Sequence, residues 1–109
     1  AGTEEVLRRV LAYLNDHYRE CVTRKDIARA VGYNESYVSH LFSETMHITL
    51  PEYIHSLRID DACRLLLETD MPISPIASQL GFASIRNFNR VFLKRTGISP
   101  RQYRNNVKK

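Results

Sequence analysis

Scarcity decides much about this chain. Two cysteines, Cys21 and Cys63, are too few for a disulfide framework, and a reducing cytoplasm suits them. No stretch approaches the roughly 18 consecutive apolar residues of a membrane span. The first residues, Ala1 to Glu5, are neither basic nor apolar, so nothing reads as a secretion signal. No Ser/His/Asp order, paired carboxylate or phosphate loop stands out, which argues against an enzyme. His17, Cys21, His40, His47, His55 and Cys63 form no CxxC or HxxxH arrangement. His17 and Cys21 are four apart but straddle a helix end, so neither metal nor cofactor is expected. Glycine and proline number only four each and sit almost entirely at breaks, leaving little chain for loops.

What remains is a helix-forming composition. At 109 residues, 43% hydrophobic and 26% charged, the chain suits one domain or two small fused ones. The net charge of +4 is unevenly spread. Residues 1–50 hold six basic and seven acidic residues, net −1; residues 51–109 hold ten and five, net +5. From Arg86 to Lys109 there are eight basic residues and no acidic one. A solvated basic tail is the plain explanation; on a reading helix the same run is an electrostatic footprint for phosphates.

Periodicity predicts seven helices and no strand. Thr3 is placed to cap a first helix whose apolar residues Val6, Leu7, Val10, Leu11 and Leu14 recur at three and four, fraying around Tyr18 to Cys21. Thr23 with Asp26 resembles a capping box, and Gly32 ends that short helix. Asn34 caps a third helix to about Thr45. Thr49 with Glu52 opens the longest, Leu50 to Glu68, with Leu50, Tyr53, Ile54, Leu57, Ala62, Leu65 and Leu66 inward. After Met71-Pro72 a short helix, with Ser74 as its candidate cap, runs to Leu80 and is closed by Gly81. Ser84 caps a sixth helix to about Arg95, ended by Gly97. Ser99-Pro100-Arg101-Gln102 starts the last, with cap, first-turn proline and N3 glutamine all present.

The chain also repeats itself. Ile27-Ala28, Gly32-Tyr33, Val38, Leu41-Phe42, Ile48-Thr49 and Tyr53 recur as Ile76-Ala77, Gly81-Phe82, Phe88, Val91-Phe92, Ile98-Ser99 and Tyr103. The offset is 49 up to Tyr33/Phe82 and 50 from Val38/Phe88, so one extra residue follows the second glycine. Each copy has the grammar of a helix-turn-helix: a small residue where helices cross, a glycine four later for positive φ, and an apolar pin on the second helix. Generic helical hairpins are the simpler explanation for either copy alone. Two copies suit a periodic ligand, and duplex DNA is one.

Pro72-Ile73, Ile76-Ala77, Gly81-Phe82, then Asn87-Phe88-Asn89-Arg90-Val91-Phe92-Leu93-Lys94, Gly97-Ile98-Ser99-Pro100 and Tyr103-Arg104 closely resemble the signature of AraC-type bacterial transcription regulators. The first half matches more loosely, through Ile27-Ala28, Gly32-Tyr33, Phe42, Tyr53-Ile54, Arg58-Ile59, Ala62 and Leu65-Leu66. The resemblance spans about Val6 to Arg104 and implies an all-α fold. It further implies a first helix-turn-helix subdomain at 1–49, a linker helix at 50–68 and a second subdomain at 69–109. It also implies sequence-specific binding of double-stranded promoter DNA at two half-sites about one turn apart. RNA polymerase is the implied partner, activation and repression are both open as outcomes, and any effector would bind a separate domain. A start at Ala1 fits a C-terminal piece of such a regulator. Three departures stand out: His47 replaces a usual glycine, Pro75 a frequent acidic residue, and Ser39-His40 longer polar or basic residues.

On the first reading helix, the face opposite Val38, Leu41 and Phe42 presents Ser36, Ser39 and His40, the family's groove-facing positions, though plain solvated serines fit as well. On the second, Ile85, Arg86, Asn89 and Arg90 take that place. Arginine forks onto guanine and asparagine onto adenine, and Ile85 suits a thymine methyl. The family's arginine at Arg90 also serves the fold or a phosphate. Asn34, Tyr37, Ser84 and Asn87 are expected at phosphates with the helix N-terminal amides, and Lys94, Arg101 and Arg104 beside the backbone. Tyr33, Phe42, Phe82, Phe92 and Tyr103 are expected in the core. Two other functions stay open: a non-catalytic interaction bundle, and the DNA-binding part of an alkylation-repair methyltransferase.

Overall fold

A computed structural model describes residues 2–107. Among them are seven helices and no strand: α1 (Gly2–His17), α2 (Arg24–Val31), α3 (Glu35–Met46), α4 (Leu50–Glu68), α5 (Ile73–Gln79), α6 (Ile85–Thr96) and α7 (Pro100–Val107). The contacts fall into two units, Ala1–Ile54 and His55–Lys109, so α4 gives its first five residues to one unit and the rest to the other.

Helix starts follow the sequence closely. Reciprocal capping boxes join Thr23 to Asp26, Thr49 to Glu52 and Ser99 to Gln102, each closed by two hydrogen bonds of 2.8–3.2 Å. Two expected caps are absent. α1 already begins at Gly2, so Thr3 lies inside it, and α5 begins at Ile73 behind Pro72, which leaves Ser74 in the first turn without a capping bond. Proline fixes an extended backbone there and does the entry work that a hydroxyl would otherwise do. α1 stops at His17 with a turn from the Glu20 N–H to the His17 carbonyl, 2.9 Å.

Helix ends depend on positive φ. Gly32, Gly81 and Gly97 take φ of 78°, 89° and 86°. His47 stands where the repeat requires the equivalent of Gly97, and it does adopt the left-handed region, at φ 62°. Its N–H reaches the Ser43 carbonyl at 2.9 Å, as the Gly97 N–H reaches Leu93 at 2.8 Å. The repeat therefore keeps its turn at the expense of a Cβ crowded against its own carbonyl, a strain of about 1–2 kcal/mol. His47→Gly is expected to raise stability by about 0.5–1 kcal/mol once glycine's extra unfolded-state entropy is deducted, measured by urea unfolding. A loss of stability would show that the imidazole makes a compensating contact.

Each unit has its own core. In the first, Val6, Val10 and Leu14 of α1, Ile27, Ala28 and Val31 of α2, Val38 and Phe42 of α3, and Leu50 and Ile54 of α4 are all buried. In the second, Ile59, Ala62, Leu65 and Leu66 of α4 meet Ile76, Ala77 and Leu80, then Phe82, Phe88, Val91 and Phe92, with Cys63 and Tyr103 packed on the side. The duplication reaches into ring geometry. Phe42 meets Tyr53 edge-on at 5.5 Å, and Phe92 meets Tyr103 edge-on at 5.6 Å, both pairs eleven residues apart. The extra residue after the second glycine is absorbed before the cap: Asn34 follows Gly32 by two, whereas Ser84 follows Gly81 by three.

One expected core residue is not in the core. Phe82 is buried, held against α4 by His55 and Arg58, with centroid separations of 6.2 and 5.4 Å. Its counterpart Tyr33 is 46% exposed and leans instead on exposed Tyr37, rings 5.5 Å apart. The phenol tolerates water where phenylalanine does not. Arg58 and Asp61 are buried polar residues of α4 that helical periodicity did not mark. Tyr53 and Leu57, expected fully inward, are half-buried.

Candidate nucleic-acid interface

α6 is amphipathic because Phe88, Val91 and Phe92 recur at three and four and point into the core. Ser84 starts it, its hydroxyl oxygen accepting from the Asn87 N–H at 3.0 Å. The face left outside carries Ile85, Arg86, Asn89, Arg90, Leu93 and Lys94, all exposed. Arg86, Arg90 and Lys94 fall at successive i+4 steps, so they form one cationic stripe, with Ile85, Asn89 and Leu93 forming a neighbouring mixed one. Ile85 and Leu93 are 41% and 53% exposed, unusual for aliphatic side chains of that size. The mixed stripe borders an open groove that Ile73, Pro100 and Arg101 also line. No carboxylate among the described residues pairs with Arg86, Arg90, Lys94, Arg95 or Arg101.

α3 offers a different surface. Asn34 caps it, its side-chain oxygen accepting from Ser36 N–H at 2.8 Å and Tyr37 N–H at 3.3 Å. Val38 and Phe42 point inward; Ser36, Tyr37 and His40 lie outside. His40 is shared with Glu44 one turn on, at 3.4 Å. Ser39 is only half exposed, and its hydroxyl oxygen is enclosed without a hydrogen-bond partner among the described residues, while Ser43 donates to its carbonyl at 2.9 Å. Ser36, Ser39, His40 and Ser43 line a groove together with Arg24, Thr49, Leu50 and Pro51.

Arg104 is half-buried and lines the same groove as Ile85, Asn89 and Arg101. Its Nε donates to the Leu66 carbonyl at 3.0 Å and an Nη to the Thr69 carbonyl at 3.2 Å, so the guanidinium ties α7 to the end of α4. Charge-assisted bonds to carbonyls at and just beyond the last turn of α4 hold it there. Arg101, one turn earlier, remains exposed.

The electrostatics divide by unit. Residues 1–54 contain six basic against eight acidic residues, net −2, and residues 55–109 contain ten against four, net +6. Within the second unit His55 is half-buried, and burial followed by the positive charges of Arg58, Arg90, Arg95 and Lys94 depresses its proton affinity below the ordinary histidine value. Sequence reasoning gave His55 no role; its i,i+3 spacing to Arg58 on α4 was the available signal. Cys63 is pushed upward by burial, against a side-chain hydrogen bond with Tyr103, which suits a packing role. Among the described residues no group of three or more His, Cys, Asp or Glu is placed to hold a metal ion, and no helix is long and apolar enough to cross a membrane.

Set beside known proteins, residues 27–106 match the family model of a helix-turn-helix domain. The melibiose operon regulatory protein of Escherichia coli is 36% identical over 95 residues, which is 87% of this chain and 32% of that protein. The chain spans about a third of the length of this regulator and of an uncharacterized regulator of Bacillus subtilis that is 33% identical, and a smaller share of some other relatives. The C-terminal domain of AraT, a response regulator from Geobacillus stearothermophilus, superposes with a TM-score of 0.89 at 28% identity, covering 93% of this chain and 84% of that one. A transcriptional regulator with an AraC-type DNA-binding domain from Chromobacterium violaceum gives 0.86 at 26% identity, covering 95% and 93%.

Proposed function

The chain belongs to the AraC-type family of helix-turn-helix DNA-binding domains, and from that premise we propose that it binds specific double-stranded promoter sites through α3 and α6. The observation that carries the reading is the outer face of α6, where Arg86, Asn89, Arg90 and Lys94 stand exposed and unopposed by carboxylates. On that face Arg86 and Asn89 read bases, Ile85 meets a thymine methyl, and Arg90 serves a base or a phosphate. Ser36 and His40 read the other half-site, with Ser39, its hydroxyl enclosed, in the groove lining beside them. Asn34, Tyr37, Ser84, Asn87, Lys94, Arg101 and Arg104 lie at phosphates, Arg104 while also tying α7 to the end of α4.

Two half-sites about one helical turn apart, one for α3 and one for α6, follow from the duplicated reading helix. The role is non-catalytic and cytoplasmic, with RNA polymerase as the protein partner. The length of the relatives leaves room for an effector or dimerising domain beside this one.

Duplex binding measured across a salt series is the direct test. Log affinity is expected to fall linearly with log salt, with a slope of about −5 to −9 for roughly five to ten phosphate contacts. Salt-independent or undetectable binding would instead support a helical protein-interaction module.

A further inference from the structure

A groove of the first unit and a groove of the second occupy the same place in the repeat. Ile73, Asn89, Leu93, Pro100 and Arg101 line the second. Their counterparts Arg24, Ser39, Ser43, Leu50 and Pro51, 49 residues earlier for Arg24 and 50 for the rest, line the first. Duplication has kept the position of the groove and changed its chemistry. Where the first offers Arg24, Ser39 and Ser43, the second offers Ile73, Asn89 and Leu93, and it adds Ile85, whose counterpart Glu35 lies outside the first groove. Among the described residues no carboxylate lines either groove.

Ile85, Asn89 and Leu93 follow one another at four-residue steps on α6 and so form one stripe, about 12 Å long at about 1.5 Å per residue. Ile85 and Leu93 stand in water on either side of the amide, and both gain by covering apolar surface. Asn89 in the middle of the stripe, Arg101 in the groove and the unopposed cations Arg86, Arg90 and Lys94 alongside select a polyanion bearing methyl groups over an apolar peptide. The major groove of duplex DNA carries one such apolar mark, the C5-methyl of thymine. Bases on one strand rise about 3.4 Å each, so the stripe spans about three to four steps.

We propose that Leu93 is a further specificity-determining residue: with Ile85 it takes thymine C5-methyls on either side of the adenine that Asn89 reads. The half-site of α6 then depends on methyl groups, and the half-site of α3, faced by serine hydroxyls, does not. The proposal rests on the DNA-binding function above and adds to it a second methyl contact and a chemical difference between the half-sites.

Deoxyuridine in place of thymine removes the methyl and keeps the base pair, so it is the probe. A duplex selected from random sequence is remade with deoxyuridine at one thymine at a time, and affinity is measured for wild type, Ile85→Ala, Leu93→Ala and Leu93→Met. Wild type is expected to lose about three- to fivefold at each contacted thymine, with the sensitive thymines together in one half-site. Leu93→Ala is expected to abolish the loss at one of them and Ile85→Ala at another, whereas Leu93→Met keeps both. A side chain that only supported the fold would weaken thymine and deoxyuridine duplexes alike. A selected site without thymine, wild-type losses below about twofold throughout, sensitive thymines in both half-sites, or losses undiminished in Leu93→Ala each overturn the assignment. The deoxyuridine series on wild type needs no variant, so a poorly folding variant does not remove the test. Salt-dependent duplex binding that ignores the methyl groups defeats this inference alone; no duplex binding at all defeats the function on which it rests.

Discussion

Phe92→Ala is expected to remove about 3–5 kcal/mol of folding stability, the largest single effect in the second unit. Phe92 is fully buried, and its ring joins Phe88 at 5.7 Å to Tyr103 at 5.6 Å, linking α6 with α7. Truncation forfeits the transfer energy of the ring and leaves a cavity bounded by aromatic walls too stiff to collapse into it. A unit of some fifty residues has little stability in reserve, so DNA binding is expected to fail with the fold at physiological temperature. Urea unfolding monitored through near-ultraviolet signals measures the loss. Leu93→Ala, one residue on but 53% exposed, is the contrast and is expected within about 0.5 kcal/mol of wild type. A cost below about 1 kcal/mol for Phe92→Ala would mean that the core is not built as described.

Arg86→Ala and Asn89→Ala carry the second large expectation: each is predicted to cost about 1–3 kcal/mol at the preferred site and to relax discrimination at one base position. Both side chains are exposed on the α6 face. Removing them therefore leaves the core untouched, and stability serves as the internal control. Lys94→Ala, by contrast, is expected to weaken all sequences alike and to reduce the salt slope by about one. The equivalent changes on α3, Ser36→Ala and His40→Ala, are expected to cost less. Serine offers a single hydroxyl where arginine offers a fork, His40 is already shared with Glu44, and the unit bearing them is net −2. Site selection from random duplexes gives the readout. Uniform weakening by Arg86→Ala and Asn89→Ala would reassign both to phosphates.

Most of the fold was legible because it is written in short-range chemistry. The capping residues Thr23, Asn34, Thr49, Ser84 and Ser99, and the glycines at 32, 81 and 97, act within one turn, so neighbours in sequence determine what they do. The bounds of α4 followed from its box at Thr49 and from the periodic apolar residues after it. The misses involve residues whose fate depends on a distant partner. Tyr33 repeats Phe82 in sequence, but only Phe82 has His55 and Arg58 to cover it. Arg104 reads as one more cation in a basic run, and only folding brings it to carbonyls 35 and 38 residues back. The outward positions of α6 were recoverable from the spacing of Phe88, Val91 and Phe92; the partial enclosure of Ser39 was not.

The helix starts fall into two kinds, and the distinction matters for what a ligand does to the protein. At α2, α4 and α7 the side chains at both ends of the box answer each other, so those openings are finished by the chain itself. At α3 and α6 only the capping side chain contributes: Asn34 accepts from two backbone N–H groups and Ser84 from one, and no N3 side chain accepts from the cap's own N–H in return. The capping residue's own N–H therefore lacks, at these two starts, the return bond that closes the box at α2, α4 and α7, and it sits at the positive end of the helix dipole. An oxyanion arriving there completes secondary structure rather than merely resting on it, so rigidity at both openings becomes a property of the complex.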